Sequence, residues 1–93
     1  MKKEPIFIDV WVVSCFNAYG VSHYTNLHTD FDKASSDFNE AINDAMKFAV
    51  EEIKDFRASK NLHSLTICDA EDDRVVIVCE ISKQTIQCGT MYM

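Results

Sequence analysis

The chain has few residues that break a backbone, with two Gly and one Pro among 93 residues. That scarcity, and the lack of any polar low-complexity tract, excludes a collagen-like or disordered chain. It also leaves no glycine-rich loop. Neither GxGxxG nor a P-loop occurs, so no backbone cradle for a phosphate or an oxyanion is foreseen. Long apolar runs are missing too: the longest, near Val10 to Phe16, is far below the roughly 20 residues of a membrane-spanning helix. Bases are outnumbered 9 to 15 by acids, for a net charge of −6. This speaks against direct binding of DNA or RNA, which rests on Lys and Arg neutralising phosphates.

Metal and redox motifs are absent as well. Cys15, Cys68, Cys79 and Cys88 contain no CxxC, which leaves neither a redox dithiol nor a zinc ribbon. His23 and His28 fall on opposite faces of an ideal strand, and neither they nor His63 belongs to an HExxH. A nucleophilic pair such as Cys15 with His23 would lack an orienting third group and an oxyanion hole. No catalytic residue, metal or cofactor is assigned, and a non-enzymatic protein is expected. The Lys2-Lys3 start precedes a run too short, and at Asp9 too polar, for a signal peptide. Buried free thiols in a reducing, cytoplasmic setting are therefore expected.

What the chain does have is one core's worth of apolar residues, 47% of the total, so residues 1–93 are read as a single domain. Ile6 to Phe16 is β-branched and aromatic and predicts a strand beginning at Pro5. Asn17-Ala18-Tyr19-Gly20 reads as a turn, and Val21 to Leu27 alternates with period 2 as a second strand. From Asp32 to about Ser59 the period changes: Phe38, Ile42, Ala45, Ala49, Ile53 and Phe56 mark one face of a helix. Phe31 is placed as a staple at its start, and Lys54, Arg57 and Lys60 in its last turns. Leu62 to Cys68 and Arg74 to Ile81 predict a hairpin around the acidic tip Asp69 to Asp73. Thr85 to Tyr92 predicts a fifth strand after a turn at Ser82-Lys83-Gln84.

The order ββαββ(β) predicts an α+β, two-layer sandwich: a mostly antiparallel sheet of four or five strands against one long helix. One helix covers one sheet face. Yet Phe7, Trp11 and Val13 alternate with Ile6, Ile8, Val10 and Val12, and Val75 to Cys79 is apolar throughout, so both faces read as apolar. The uncovered one, assigned to Phe7, Trp11 and Val13, is expected to meet a second copy in a homodimer or a protein partner. The alternative is a sheet that curls until its loops and Met91-Tyr92-Met93 shield it.

The most distinctive pattern lies on the helix. At about 100° per residue, Asp37, Glu40, Asp44, Glu51 and Asp55 fall in one narrow arc nearly opposite the apolar stripe, with Lys47 the only base among them. Glu40 with Asp44 and Glu51 with Asp55 are like-charge i,i+4 pairs that cost a few tenths of a kcal/mol each. Selection for stability alone would avoid them, although a plain solvated face is the competing reading. Asp69, Glu71, Asp72 and Asp73 at the hairpin tip add carboxylates without the spacing or glycine of an EF-hand.

In size, sign of charge, hairpin-helix-hairpin layout and this carboxylate pattern, the chain resembles the small acidic proteins with which bacteriophages inhibit host defence, anti-CRISPR proteins and other nucleic-acid mimics among them. The resemblance spans the whole chain and rests on no shared motif, so it transfers no functional residue. It implies a viral protein acting in the host cytoplasm, whose helix face and hairpin tip block the basic, nucleic-acid-binding surface of a target protein. Two other readings stand beside it. One is a dimeric protein sequestering a small ligand such as a nucleotide signal, with Trp11, Tyr19, Tyr24 and His23 in the cleft. The other is an accessory subunit that docks through Phe7 and Trp11.

Overall fold

A computed structural model describes residues 3–19 and 22–92; Gly20 and Val21 of the expected first turn and second strand, Met93, and the side chains of Ser22, Cys88, Met91 and Tyr92 lie outside the description. Strand β1 (Lys3–Asn17) pairs antiparallel with β2 (Ser22–His28), after which helix α1 (Phe31–Glu52) crosses the sheet. Three strands follow, β3 (Phe56–Lys60), β4 (Ser64–Asp69) and β5 (Arg74–Tyr92). The sheet is antiparallel throughout in the order β2-β1-β5-β4-β3, so the first and last strands lie side by side at its centre. This is the expected α+β arrangement of one helix on one antiparallel sheet.

Asp30 caps α1, its carboxylate accepting the Asp32 N–H at 2.8 Å. Phe31 packs in the first turn against Trp11 of β1, ring centroids 4.6 Å apart. The buried face carries four alanines, Ala34, Ala41, Ala45 and Ala49, with Phe38 and Ile42. Small side chains let the helix axis approach β1 and β5 closely, and the core closes on Val13, Leu65, Ile67, Ile77, Cys79 and Ile81.

Three expectations are corrected. The helix ends at Glu52, not near Ser59: Ile53 turns extended (φ −110°, ψ 120°) and 56–60 become edge strand β3. Ile53 is still buried and Phe56 half-buried, so the apolar pattern persists while its carrier changes. The bases of the imagined last turn, Lys54, Arg57 and Lys60, therefore lie beyond the helix. Secondly, β5 continues without a turn at Ser82-Lys83-Gln84, because β1 offers it a pairing partner from Asn17 to Lys3 and the three expected turn residues include neither Gly nor Pro. Thirdly, the sheet faces are less alike than the apolar run Val75 to Cys79 suggests. The β4–β5 register shifts so that Ile67 faces Ile77 while Cys68 faces Val75, leaving Val76 as the extra residue of a bulge. Val76 and Ile77 both enter the core, and Val75 and Val78 remain for the other face. There, cross-strand neighbours such as Ser14, Thr25, Thr66 and Glu80 dilute Val12, Phe16 and Leu27.

Val13, expected on a partner-binding face, is 0% exposed beneath the helix and belongs to the core. Trp11 shares its face and is half-buried against Phe31. Of the three only Phe7, 58% exposed, is open to a partner.

The close alanine contact sets a testable limit on volume. Ala49→Leu, at a fully buried site, is expected to cost about 1–3 kcal/mol by overpacking, whereas Val50→Leu, at the neighbouring 70% exposed position, changes stability by less than about 0.5 kcal/mol. Urea unfolding of the two variants checks the contrast.

Candidate functional site: an acidic flank of the helix

With α1 ending at Glu52, the carboxylate row comprises Asp37, Glu40, Asp44 and Glu51 and spans about 21 Å at 1.5 Å per residue. Asp55 lies past the helix end, where its backbone carbonyl accepts the Ala70 N–H at 2.9 Å. The like-charge i,i+4 pair expected of Glu51 and Asp55 does not form, and that of Glu40 and Asp44 remains. Burial of Ala34 and Ala41 beside Phe38, Ile42, Ala45 and Ala49 also recentres the buried face of the helix near Ala45. The row consequently runs along the flank beside β2 and not along the crest.

Asp37 is tied down at one end of the row. Its Oδ2 accepts the Asn26 side-chain amide at 3.0 Å and lies 2.8 Å from His28 Nε2. Both partners come from β2, where alternate residues face the helix. Glu40, Asp44 and Glu51 are exposed, and no ion pair holds them among the described residues. Between this flank and β2 runs a groove of about 330 Å³, lined by Tyr24, Asn26, Asp37, Glu40, Ala41 and Asp44. It continues past Tyr24 and Asp44 into a second hollow of about 220 Å³ that reaches Cys15 and Phe48. The Tyr24 phenol is pushed up to about 12, first by burial and then by the acidic groups around it, Cys15, Asp37 and Asp44 among them. A neutral phenol rimmed by free carboxylates can take a cationic side chain: the carboxylates pair with it and the ring offers its face.

Beneath the groove Cys15 and Cys79 pair across β1 and β5 with their sulfurs 3.0 Å apart, both as free thiols. A hydrogen bond from Cys79 favours the Cys15 thiolate and lowers that thiol, while the same contact and burial push Cys79 up. Cys79 is buried as expected, and Cys15 and Cys68 only half-buried.

The hairpin tip differs from its expected role because its acids are mostly engaged within the fold. The Tyr19 hydroxyl donates to Asp69 Oδ2 at 2.8 Å, Asp73 pairs with Arg57, and Asp72 lies 3.8 Å from Arg74 Nε. Asp69 is held below the usual carboxylate range by the Glu71 N–H and then by Tyr19. Asp73 takes a left-handed backbone (φ 59°) in the turn, which an aspartate tolerates better than most residues. Two arginines thus offset the four acids of the tip, and of those acids only Glu71 projects without a side-chain partner among the described residues. Sequence reading missed this because Arg57 lies on a strand it assigned to the helix.

Nor does the fold gather the four residues of the small-ligand reading. Trp11 packs against Phe31 at the helix start, Tyr19 sits near the helix end by Phe48, and His23 lies beside Phe16 on the opposite sheet face. Only Tyr24 lines the acidic groove. Among the described residues no three of His, Cys, Asp or Glu converge as metal ligands, and no helix is long and apolar enough to cross a membrane.

Tyr24 gives the groove a spectroscopic handle. Its folded value of about 12 lies above the ordinary 10, so the protonated phenol adds stability that is complete below pH 10 and is lost as pH rises through about 12. Ultraviolet titration should show a late-ionising tyrosine that Tyr24→Phe removes; a Tyr24 phenol ionising near 10 would contradict the groove's electrostatics.

No known family, curated protein or solved structure matches the chain.

Proposed function

We propose that the protein is a non-enzymatic binding protein, an inhibitor of the phage-encoded, host-directed kind, that covers a basic nucleic-acid-binding surface on a target protein with the β2-side flank of α1. The observation that carries this reading is selective pairing. Asp37, Asp69, Asp72 and Asp73 have partners within the fold, while Glu40, Asp44 and Glu51 point outward along one exposed flank without a counter-ion among the described residues. Uncompensated carboxylates on a rigid helix cost stability through mutual repulsion, a cost that a basic partner relieves. Arg side chains suit the groove beside Tyr24, where a guanidinium can bridge Glu40 and Asp44 and lie against the ring. Lys residues further along the target would follow the row to Glu51. The target's nucleic acid is then excluded by steric and electrostatic competition, and long-range attraction speeds the encounter. The hairpin tip is secondary here, because its acids are mostly compensated.

The test begins with capture of the tagged protein's partner from nuclease-treated lysate of the organism that carries the gene, followed by kinetics on the purified pair. Reversing Glu40, Asp44 and Glu51 together to Lys should lower the association rate at low salt by roughly tenfold or more and remove its salt dependence, with the fold intact by circular dichroism. Duplex DNA should compete with the native protein for the partner. An association rate that is indifferent to both the triple substitution and salt would overturn the reading.

A further inference from the structure

The two central strands outrun the rest of the molecule. β2 leaves β1 at the Trp11–His28 pair and β4 leaves β5 at the Ser64–Glu80 pair. Beyond these points Lys3–Val10 and Ser82–Tyr92 continue alone as a two-stranded arm, which makes the molecule 63 Å long against 23 and 20 Å in its other dimensions. A lone pair of strands is marginal in water, yet this one exposes Ile6, Ile8 and Ile86 on one face and Phe7 on the other.

The arm's two edges are not equivalent. On β1 the outer edge carries Lys3, Glu4, Asp9 and Pro5, the kinds of residue that blunt strand addition. On β5 the edge from Ser82 to Tyr92 has no proline and a single charge, Lys83, and its regular stretch runs from Ser82 to Gln87, where the pairing with β1 shifts by one residue. The Ile81 N–H donates to the His63 carbonyl on the β4 side at 2.9 Å. By alternation, Lys83, Thr85 and Gln87 therefore direct their N–H and C=O groups to the open edge. Charge singles out the same place. Lys3, Glu4, Asp9 and Lys83 cancel within the arm, so the chain's net −6 resides elsewhere. A copy of this protein is repelled at most approaches and not at this one.

We propose that the outer edge of β5 pairs antiparallel with the same edge of a second copy, across a two-fold axis, to make one continuous ten-stranded sheet from two five-stranded ones. Ile86 lies within the free edge, which opens at Ser82 just past the last β4 pair at Glu80 and runs to Tyr92. With Ile86 of one copy facing Ile86 of the other, Thr85 and Gln87 exchange backbone hydrogen bonds. The Ile8–Ile86 cross-strand pair of each copy then joins its counterpart in an apolar row over the axis. Each arm tip reaches the step where the other copy's β4 ends, a notch of about 510 Å³ between Asn61–Ser64 and Glu80–Ser82 beside the 85% exposed Leu62. The neutrality of the arm, in a chain whose net charge is −6, favours a second copy over a foreign strand, because the rest of the surface repels such a copy. The acidic flank borders β2, away from this edge, and stays open in both copies.

Sedimentation velocity across a concentration series, paired with amide exchange, tests the edge directly. Dimers should form as concentration rises, with the Thr85 and Gln87 amides protected in the dimer and exchanging freely on dilution. Gln87→Pro removes an outward N–H without touching a β1–β5 bond, and Gln87→Lys brings like charges together at the axis. Gln87→Pro should weaken the dimer roughly 10- to 100-fold, the loss expected for two symmetry-related hydrogen bonds, and Gln87→Lys should weaken it by like-charge repulsion that added salt relieves, while the far-ultraviolet spectrum is unchanged. A chain that stays monomeric from micromolar to millimolar concentration would refute the proposal. So would a dimer indifferent to both substitutions, or an edge that takes up only the strand of another protein.

Discussion

The pairing of β1 with β5 is the constraint on which the remainder rests. From Lys3 opposite Tyr92 to Asn17 opposite Ile77, it holds the two ends of the chain in one ladder. Every other strand hangs on these two: β2 on the outer edge of β1, β4 on that of β5, and β3 on β4. The helix rests on their shared face, where Val13, Cys79 and Ile81 provide the floor for its alanines. The pairing also fixes where sheet ends and arm begins, because β1 and β5 are long and their neighbours short.

The acidic flank is a by-product of that placement. A helix seated over the centre of the sheet has two flanks, and the one beside β2 borders a short, polar edge strand. Asn26 and His28 there anchor Asp37 and so orient the row. Tyr24, one helix-facing position further along, forms the floor of the groove. At the hairpin tip, by contrast, Tyr19, Arg57 and Arg74 engage three of the four carboxylates.

Much of this was legible in the sequence. The β-branched and aromatic run Ile6 to Phe16 and the recurrence of Phe38, Ile42, Ala45 and Ala49 specify a strand and a helix, and the order of elements specifies the α+β class. The end of the helix was not legible, because Ile53 and Phe56 suit a helix stripe as well as they suit a buried turn and an edge strand, and no Gly or Pro marks the break. Bulges are equally silent: Val76 reads as one more apolar residue, and only the register with Ile67 and Cys68 reveals that it turns inward. Asp37, Glu40, Asp44 and Glu51 keep the helical spacing expected of them. Which of these acids are free depends on contacts between distant segments, such as Arg57 with Asp73, and spacing carries no trace of such contacts.

The length of that central ladder bears on how the chain assembles. Its outermost rung joins residues 89 apart in sequence, and loops of that size close late and slowly. While the chain is being made, β1, β2 and α1 emerge first, with the inner edge of β1 unpaired and the floor beneath the helix half built. That unit can complete itself only when β5 arrives. Until then an apolar strand edge is open to other chains, so folding in the cell is a race between closing this ladder and pairing with a neighbour.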